Sequence, residues 1–345
     1  MNVSKIIQKW YLENQRELPW RHTSDPYKIW VSEIILQQTR VNQGIDYYNK
    51  FVENFPNVFI LANSPIDKVF KIWQGLGYYS RAGNMHLTAK IIVDKYQGAF
   101  PHDQKELIKL KGIGDYTSAA ISSIAFGMPY AVVDGNVSRF LSRYYGIDIP
   151  VNSSLGKKTF QKLAAEILDR KNPGLYNQAV MELGAIVCLP KNPLCPACTL
   201  SAECIAFNTG SIMLFPQKLQ NRKIKDRYFN YLLIRKGPNI FINQRISQDI
   251  WKMLYEFPLI ETFEKRNPEE ILLFDKWISF FTGSSHILKT VSRVFNHKLT
   301  HQVIHTRFFE IEVENDFVLP GYLEISTKNI DNYAFPKVID NYLKL

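Results

Sequence analysis

A chain of 345 residues is long enough for two domains, each with its own core. An apolar fraction of 46% and a charged fraction of 21% are ordinary for a globular protein, and no apolar run reaches bilayer-spanning length, which argues against a transmembrane helix. Lys and Arg number 42 against 32 Asp and Glu, and this formal charge of +10 favours a polyanionic partner without naming one. The N-terminal stretch MNVSKIIQKWYLENQRELPW reads as an amphipathic helix without the apolar core or cleavage site of a signal peptide. The expected compartment is therefore the cytoplasm, or the nucleus in a eukaryote.

In chain order, apolar positions recur at helical spacing in 29–41, 45–55, 86–96, 104–111, 116–126, 136–145, 157–169 and 175–187. Proline and glycine punctuate these segments, at Pro26, Pro56, Pro65, Gly75-Leu76-Gly77, Pro101, Pro129, Pro150 and Pro173. Residues 1–210 are thus expected to form a mainly helical domain. The stretch 211–227, SIMLFPQKLQNRKIKDR, is polar and basic after its first few residues and reads as a linker. Residues 228–345 predict an α+β domain. Strands are expected at 228–235, 240–245, 287–295 and 303–313, with a hairpin at Lys236-Gly237-Pro238-Asn239. Helices are expected over 267–280 and 337–345. No internal repeat or low-complexity segment is present.

Three features bear on chemistry. First, Leu107 to Arg139 reads as helix, glycine hairpin and helix, followed by a short apolar run ending at Asp134. Gly112 and Gly114 bracket Ile113 and suit a turn with positive φ and a close backbone approach. The free N–H groups at the start of the following helix make an anion site, with phosphate the obvious anion. A Lys-Gly-Ile-Gly turn alone is more often a plain connection, and an Asp-Gly pair alone is usually a turn; the two at this spacing form a stronger signal. Second, Glu33 in Trp30-Val31-Ser32-Glu33-Ile34-Ile35-Leu36-Gln37-Gln38-Thr39 has apolar neighbours on nearly every side. It lies either at a rim or in a largely apolar pocket. Third, all four cysteines, Cys188, Cys195, Cys198 and Cys204, bunch within 17 residues (188 to 204) at spacing C-x6-C-x2-C-x5-C. Such bunching without a signal peptide favours metal ligation over disulfides. Zinc normally shows two close pairs, of which only Cys195–Cys198 is one; four thiolates also suit a [4Fe–4S] cluster.

The hairpin with Asp134, the segment around Glu33 and the cysteine spacing together resemble the adenine DNA glycosylases of the MutY type, within the helix-hairpin-helix/GPD superfamily of base-excision glycosylases. The resemblance extends over nearly the whole chain. It implies a mainly α catalytic region with an iron–sulfur loop, followed by a Nudix-like α+β domain. It also implies a monofunctional enzyme that hydrolyses the N-glycosidic bond of adenine mispaired with 8-oxoguanine or guanine in duplex DNA, carries a [4Fe–4S] cluster and acts as a monomer. Glu33 is then the general acid that protonates adenine. Asp134 faces the cationic sugar, through charge or a transient covalent link, and Asn136 orients Asp134 and the water. Two carboxyl groups divide the labour as in glycoside hydrolysis, one protonated and one ionised.

Further positions follow from the same resemblance. Tyr116 stands where related endonuclease III-type lyases carry a Schiff-base lysine, which a tyrosine cannot replace as an amine nucleophile; alternatively it packs on the hairpin. Trp20 and Arg21 border the adenine pocket, Trp30 and Leu36 belong to the substrate-contacting segment, and Glu182 reads the adenine edge. Gln38 and Tyr78 wedge into the duplex, although one of Tyr78 and Tyr79 is expected to pack in the core. The cluster holds a loop carrying Lys191 against DNA. Residues 250–258 are similar to the WEFP-like segment of the recognition domain, and Leu299, Thr300 and His301 occupy its Phe-Ser-His loop. Leu299 and Thr300 depart from that pattern, and the Glu-rich box of true Nudix hydrolases is absent, which excludes pyrophosphatase chemistry as the expectation. Asp115 is a further departure, a carboxylate beside the expected phosphate that Lys109 and Lys111 offset. A thymine-mismatch glycosylase of the same superfamily, a bifunctional lyase, which Tyr116 disfavours, and a non-catalytic DNA-binding protein remain the competing readings.

Overall fold

The computed structural model describes residues 3–219 and 224–344. The expected fold class is found: helices dominate the first part, and a mixed sheet with flanking helices forms the second. The chain divides into two compact units, Met1–Ser64 with Asn84–Gln220, and Pro65–Gly83 with Asn221–Leu345.

In the first unit, the helix Pro26–Leu36 starts where its sequence says it should. The Asp25 side chain accepts from the Tyr27 amide at 2.9 Å, and Pro26 occupies the first turn, where a missing N–H costs nothing. Residues Ile29 to Ile35 are all buried. This helix packs against Asp115–Phe126, whose inward positions are small, with Ser118, Ala119, Ala120, Ser122 and Ser123 almost fully buried. Small side chains let two backbones approach closely, which brings Glu33 and Tyr116 towards each other. The helix Pro173–Ile186 lies against Asp115–Phe126, Val3–Asn14 and Gly135–Tyr144. The shared core contains Trp10, Phe140, Phe160 and Tyr176, and each such large apolar side chain contributes about 1.5–3 kcal/mol on full burial.

In the second unit, β1 (Lys225–Lys236) and β2 (Asn239–Gln244) form the expected hairpin, with Lys236 opposite Asn239. The further strands are β3 (Tyr255–Glu256), β4 (Leu259–Thr262), β5 (His286–Val291), β6 (Phe295–Lys298), β7 (Gln302–Val313) and β8 (Leu323–Ser326). The central pair, β1 and β7, runs parallel from Lys225/Gln302 to Arg235/Glu312. One face is covered by Trp277 and Phe281 against Leu232, Ile234, Phe309 and Ile311. The other face holds Tyr231, Phe257 and Phe308 with the helix Lys337–Leu343, Phe308 stacking on Tyr342 at 3.8 Å.

Several boundaries differ from the sequence reading. β1 starts inside the stretch read as a linker, of which residues 220–223 lie outside the described residues. Residues 65–83 pack with the second unit: Gln74 Nε2 donates to Asp340 Oδ1 at 2.7 Å, and Lys71 Nζ to the Tyr333 carbonyl at 3.4 Å. These partners are more than 250 residues away in the chain, beyond any local pattern. The helix expected over 267–280 is two, Pro268–Ile271 and Asp275–Phe281, because Leu273 and Phe274 bond three residues back and tighten the turn. The strand expected over 287–295 stops at Val291, where Ser292 Oγ accepts from the Phe308 amide and the extended run is interrupted.

Gly112 and Gly114 separate in role. Gly112 has φ +78°, and a Cβ there would sit 2.9 Å from Asn84 Cβ. Gly114 has φ −100°, so the positive φ expected of it is not found, and its missing Cβ faces open space. Gly112→Ala is expected to cost about 1–3 kcal/mol by chemical denaturation, and Gly114→Ala under about 0.5 kcal/mol. Equal losses in the two variants would contradict this division.

Candidate active site

A cavity of about 370 Å³ in the first unit collects most of the expected residues. Glu33, Tyr116, Asp134, Asn136, Trp20, Arg21, Leu36, Gln38 and Glu182 all line it. Glu33 is buried rather than at a rim, 8% exposed. Burial pushes its carboxyl up to about 7, with the Asp134 charge acting the same way; the Tyr116 hydroxyl and the Arg21 charge partly oppose it. Tyr116 is raised well above its ordinary value, by burial first and then by the Glu33 and Asp134 charges, so its hydroxyl keeps its proton. That hydroxyl lies 3.1 Å from Met181 Sδ.

Asp134 caps the helix Gly135–Tyr144. Its Oδ1 accepts from the Val137 amide at 2.7 Å and its Oδ2 from Asn136 Nδ2 at 2.9 Å. Burial raises this carboxyl while those donors and the Arg139 charge pull it back, and the helix N-terminus adds its own preference for an anion. Gly184 makes the arrangement possible. A Cβ on Gly184 would lie 2.8 Å from Asn136 Cβ, so the helix Pro173–Ile186 touches the Asp134–Asn136 turn only because this residue has none.

Arg139 ties this turn to the cysteine loop. Its Nη2 donates to Asn136 Oδ1 at 2.9 Å and to the Gly184 carbonyl at 2.7 Å, and its Nε donates to the Cys188 carbonyl at 2.7 Å. Arg143, one turn later, donates to the Leu189 carbonyl at 2.7 Å and approaches Cys188 Sγ at 3.5 Å. Cys188, Cys195, Cys198 and Cys204 line one apolar pocket with Phe140, Val187, Leu200 and Phe207. Among the described residues no three His, Cys, Asp or Glu side chains converge on one metal ion.

Two expected contacts are corrected. Trp30 does not reach the cavity: it is fully buried, edge-on to Tyr27 and Phe100, because its helix position points into the core. Glu182 lines the cavity, but its oxygens are taken, accepting from Arg16 N, Nε and Nη2 and from Arg21 Nη2 at 2.7–3.1 Å. Burial pushes Glu182 up, and these guanidinium contacts outweigh it, leaving the carboxyl below its ordinary value. Glu182 thus anchors Arg16 and Arg21 at the cavity wall. Lys109 pairs with Glu106 at 2.5 Å rather than with Asp115.

The sequence reading missed Arg16, Gln178 and Met181 as lining residues, and Arg139 as the link to the cysteines. The available signal was Arg139 and Arg143 at i and i+4 on the helix after Asp134.

In the second unit, Tyr78 is exposed with φ +47°, and its hydroxyl lies 2.6 Å from Thr300 Oγ1. Tyr79 is the buried member of the pair, as expected. Leu299, Thr300 and His301 form the tip of the β6–β7 hairpin, closed by the Leu299 amide on the Gln302 carbonyl at 2.8 Å. Leu299 packs towards the core, while Thr300 and His301 are exposed.

Comparison with known proteins agrees with this geometry. Residues 31–166 match the HhH-GPD superfamily of base excision DNA repair proteins, and residues 230–345 match the NUDIX domain. The adenine DNA glycosylase of Buchnera aphidicola subsp. Acyrthosiphon pisum (strain APS) is 34% identical over 352 residues, covering 99% of this chain and 97% of that one. The chain belongs to the adenine DNA glycosylases. The human adenine DNA glycosylase is 40% identical over 209 residues, 58% of this chain and 38% of that one. Among solved structures, a thermostable thymine-DNA glycosylase is 29% identical with a TM-score of 0.55, covering 60% of this chain and 95% of that one. An endonuclease III–DNA complex, at 22% identity and a TM-score of 0.52, covers 60% and 94% and shares the fold. The glycosylase is therefore a hydrolase of N-glycosidic bonds, and no helix among its described residues is long and apolar enough to cross a membrane.

Ionising buried Glu33 costs folded-state stability. The carboxyl is neutral in both states below about pH 4; as pH rises through about 7 the unfolded chain is ionised before the folded one. Stability is lost across that window by about 3 kcal/mol, an order-of-magnitude figure. Glu33→Gln is therefore expected to be more stable than the parent at pH 8, by about 2–3 kcal/mol in urea titrations, with the difference gone near pH 4. A pH-independent difference would remove the raised carboxyl.

Proposed function

We propose that this glycosylase releases adenine mispaired with 8-oxoguanine or guanine, by hydrolysis and without a lyase step. The reading rests above all on one cavity holding two carboxyl groups in unlike surroundings, Glu33 with its pKa pushed up to about 7 and Asp134 held by helix-terminal donors. Protonated Glu33 gives its proton to the departing adenine. Ionised Asp134 faces the oxocarbenium-like sugar, and Asn136 holds both the carboxylate and the attacking water in line. Paired carboxyl groups pushed apart in this way make an acid and a charge stabiliser from one residue type. Tyr116, locked as a neutral hydroxyl, has no amine with which to form a Schiff base, so water is the final nucleophile.

Adenine must leave the base stack to enter the cavity. Gln38 and Tyr78 hold left-handed backbone at φ +59° and +47°, a conformation that costs about 1–3 kcal/mol and clusters at working sites. Both suit insertion into the duplex, while Trp20, Arg21 and Leu36 wall the adenine pocket. The helix Asp115–Phe126 has no side-chain cap, so its first N–H groups and the open space at Gly114 are free to receive a backbone phosphate. Exposed Thr300 and His301, beside Tyr78, supply the contact to the oxidised base. The four cysteines suit a [4Fe–4S] cluster, which would hold the 188–204 loop, including Lys191, in shape.

Single-turnover release from duplexes with adenine opposite 8-oxoguanine, guanine and thymine is expected to be fast, slower and absent. Release of thymine opposite guanine would overturn the assignment. Glu33→Gln should lower the rate by at least about 100-fold, and the parent's rate should fall as pH rises through about 7, when the acid loses its proton. Borohydride should trap no adduct. Iron and sulfide assays should find about four of each per chain, and Cys198→Ser should lose both; stoichiometric zinc instead would refute the cluster.

A further inference from the structure

The second unit carries a pocket that none of the chemistry above uses. Its volume is about 290 Å³, and it opens where one face of the sheet runs out of cover. On β1 and β7, Leu232, Ile234, Phe309 and Ile311 are buried beneath Trp277 and Phe281. The same face continues along both strands as Tyr228 and Asn230, paired in register with His305 and Arg307, and side-chain alternation keeps all four on that face. Asn296 on β6 pairs with His305 and joins them.

These positions are neither apolar nor disordered in arrangement. Tyr228 stacks on His305 with ring centres 4.8 Å apart and planes at 16°. The His305 ring is fixed from both sides, Nδ1 2.8 Å from Asn296 Oδ1 and Nε2 2.7 Å from Asp226 Oδ1. Asn230 Nδ2 donates to the Ile260 carbonyl at 3.1 Å. Lys265, Arg266 and Arg307 also line the pocket, and no carboxylate does. The Arg266 charge is met by Glu264 at 2.5 Å and Glu270 at 3.3 Å. Arg307 makes one hydrogen bond among the described residues, Nη1 to the Arg266 carbonyl at 3.0 Å, and it has no carboxylate partner there. Lys265 is exposed, likewise without an ion pair among the described residues.

A half-buried guanidinium fixed by one backbone carbonyl presents its remaining donors as a fork, the geometry that suits a phosphate bidentately. A lysine beside it adds a point charge. We propose that this pocket is a phosphate-binding site, with Arg307 and Lys265 holding the oxyanion and Tyr228–His305 forming the wall beside it. The phosphate belongs either to the DNA backbone or to a free nucleotide, and the proposal stands apart from the assignment of Thr300 and His301.

The test uses the full chain with Arg307→Gln, Lys265→Gln and Arg307→Lys. Calorimetry with inorganic phosphate and deoxyadenosine monophosphate reads the free-nucleotide source: binding should weaken about tenfold or more in Arg307→Gln and be partly kept in Arg307→Lys. Duplex affinity across a salt series reads the DNA source: the slope of log K against log salt should fall by about one for each of the two Gln substitutions. Either result supports the site and names its source. Lys265 is exposed, so Lys265→Gln keeps the test valid should the Arg307 variants misfold. Binding and salt slope unchanged from the parent in both Gln variants would overturn the proposal, and adenine release, measured in parallel, would be unaffected by that failure.

Discussion

The burial of one carboxyl group, Glu33, is the constraint on which the catalytic unit depends. A carboxyl in water ionises near pH 4 and is useless as an acid at neutral pH. Here the helix Pro26–Leu36 is buried along most of its length, and its partner Asp115–Phe126 presents Ala and Ser where larger residues would hold the two apart. The price is a folded state weakened by the charge it resists, and the rest of the unit is arranged around that cost. Tyr116 and Arg21 moderate it, while Asp134 sharpens it.

The second carboxylate receives the opposite treatment from the same principles. Asp134 is also poor in solvent, but a backbone amide, an asparagine amide and a helix N-terminus face it. Its position depends on contacts spread through the chain: Gly184 allows the turn to be touched, and Arg139 bonds the turn, the Gly184 carbonyl and the Cys188 carbonyl together. The cysteine loop is thereby mechanically continuous with the Asp134–Asn136 turn. Losing the loop's shape should be felt at Asp134 through Arg139 without any electronic role for the loop.

The second unit follows a different logic. Its core lies on both faces of a mixed sheet, but one face ends in ordered polar and cationic residues where its helical cover stops. A sheet face that changes from Phe309 and Ile311 to His305 and Arg307 within one strand marks a boundary between packing and recognition. The hairpin tip at Leu299–His301 joins β6 to β7, so β7 contributes to the core, to the pocket and to the exposed loop.

Much of this was legible in the sequence, for local reasons. Periodicity placed most helices and the principal strands, because burying one face imposes a repeat of 3.6 or 2 residues. The Gly112–Gly114 turn, the Asp134 cap and the spacing of the four cysteines each sit within a few residues of one another, where chain connectivity alone restricts geometry. Tertiary structure decided the rest. The sequence could not say whether Glu33 lies at a rim or in a pocket, because that depends on a helix some 80 residues away. Nor could it show that Trp30 turns inward, that Arg16 and Arg21 saturate Glu182, or that residues 65–83 pack with residues beyond 224. In each case the deciding partner is distant in sequence, and a side chain's charge and exposure are set by whatever the fold brings next to it.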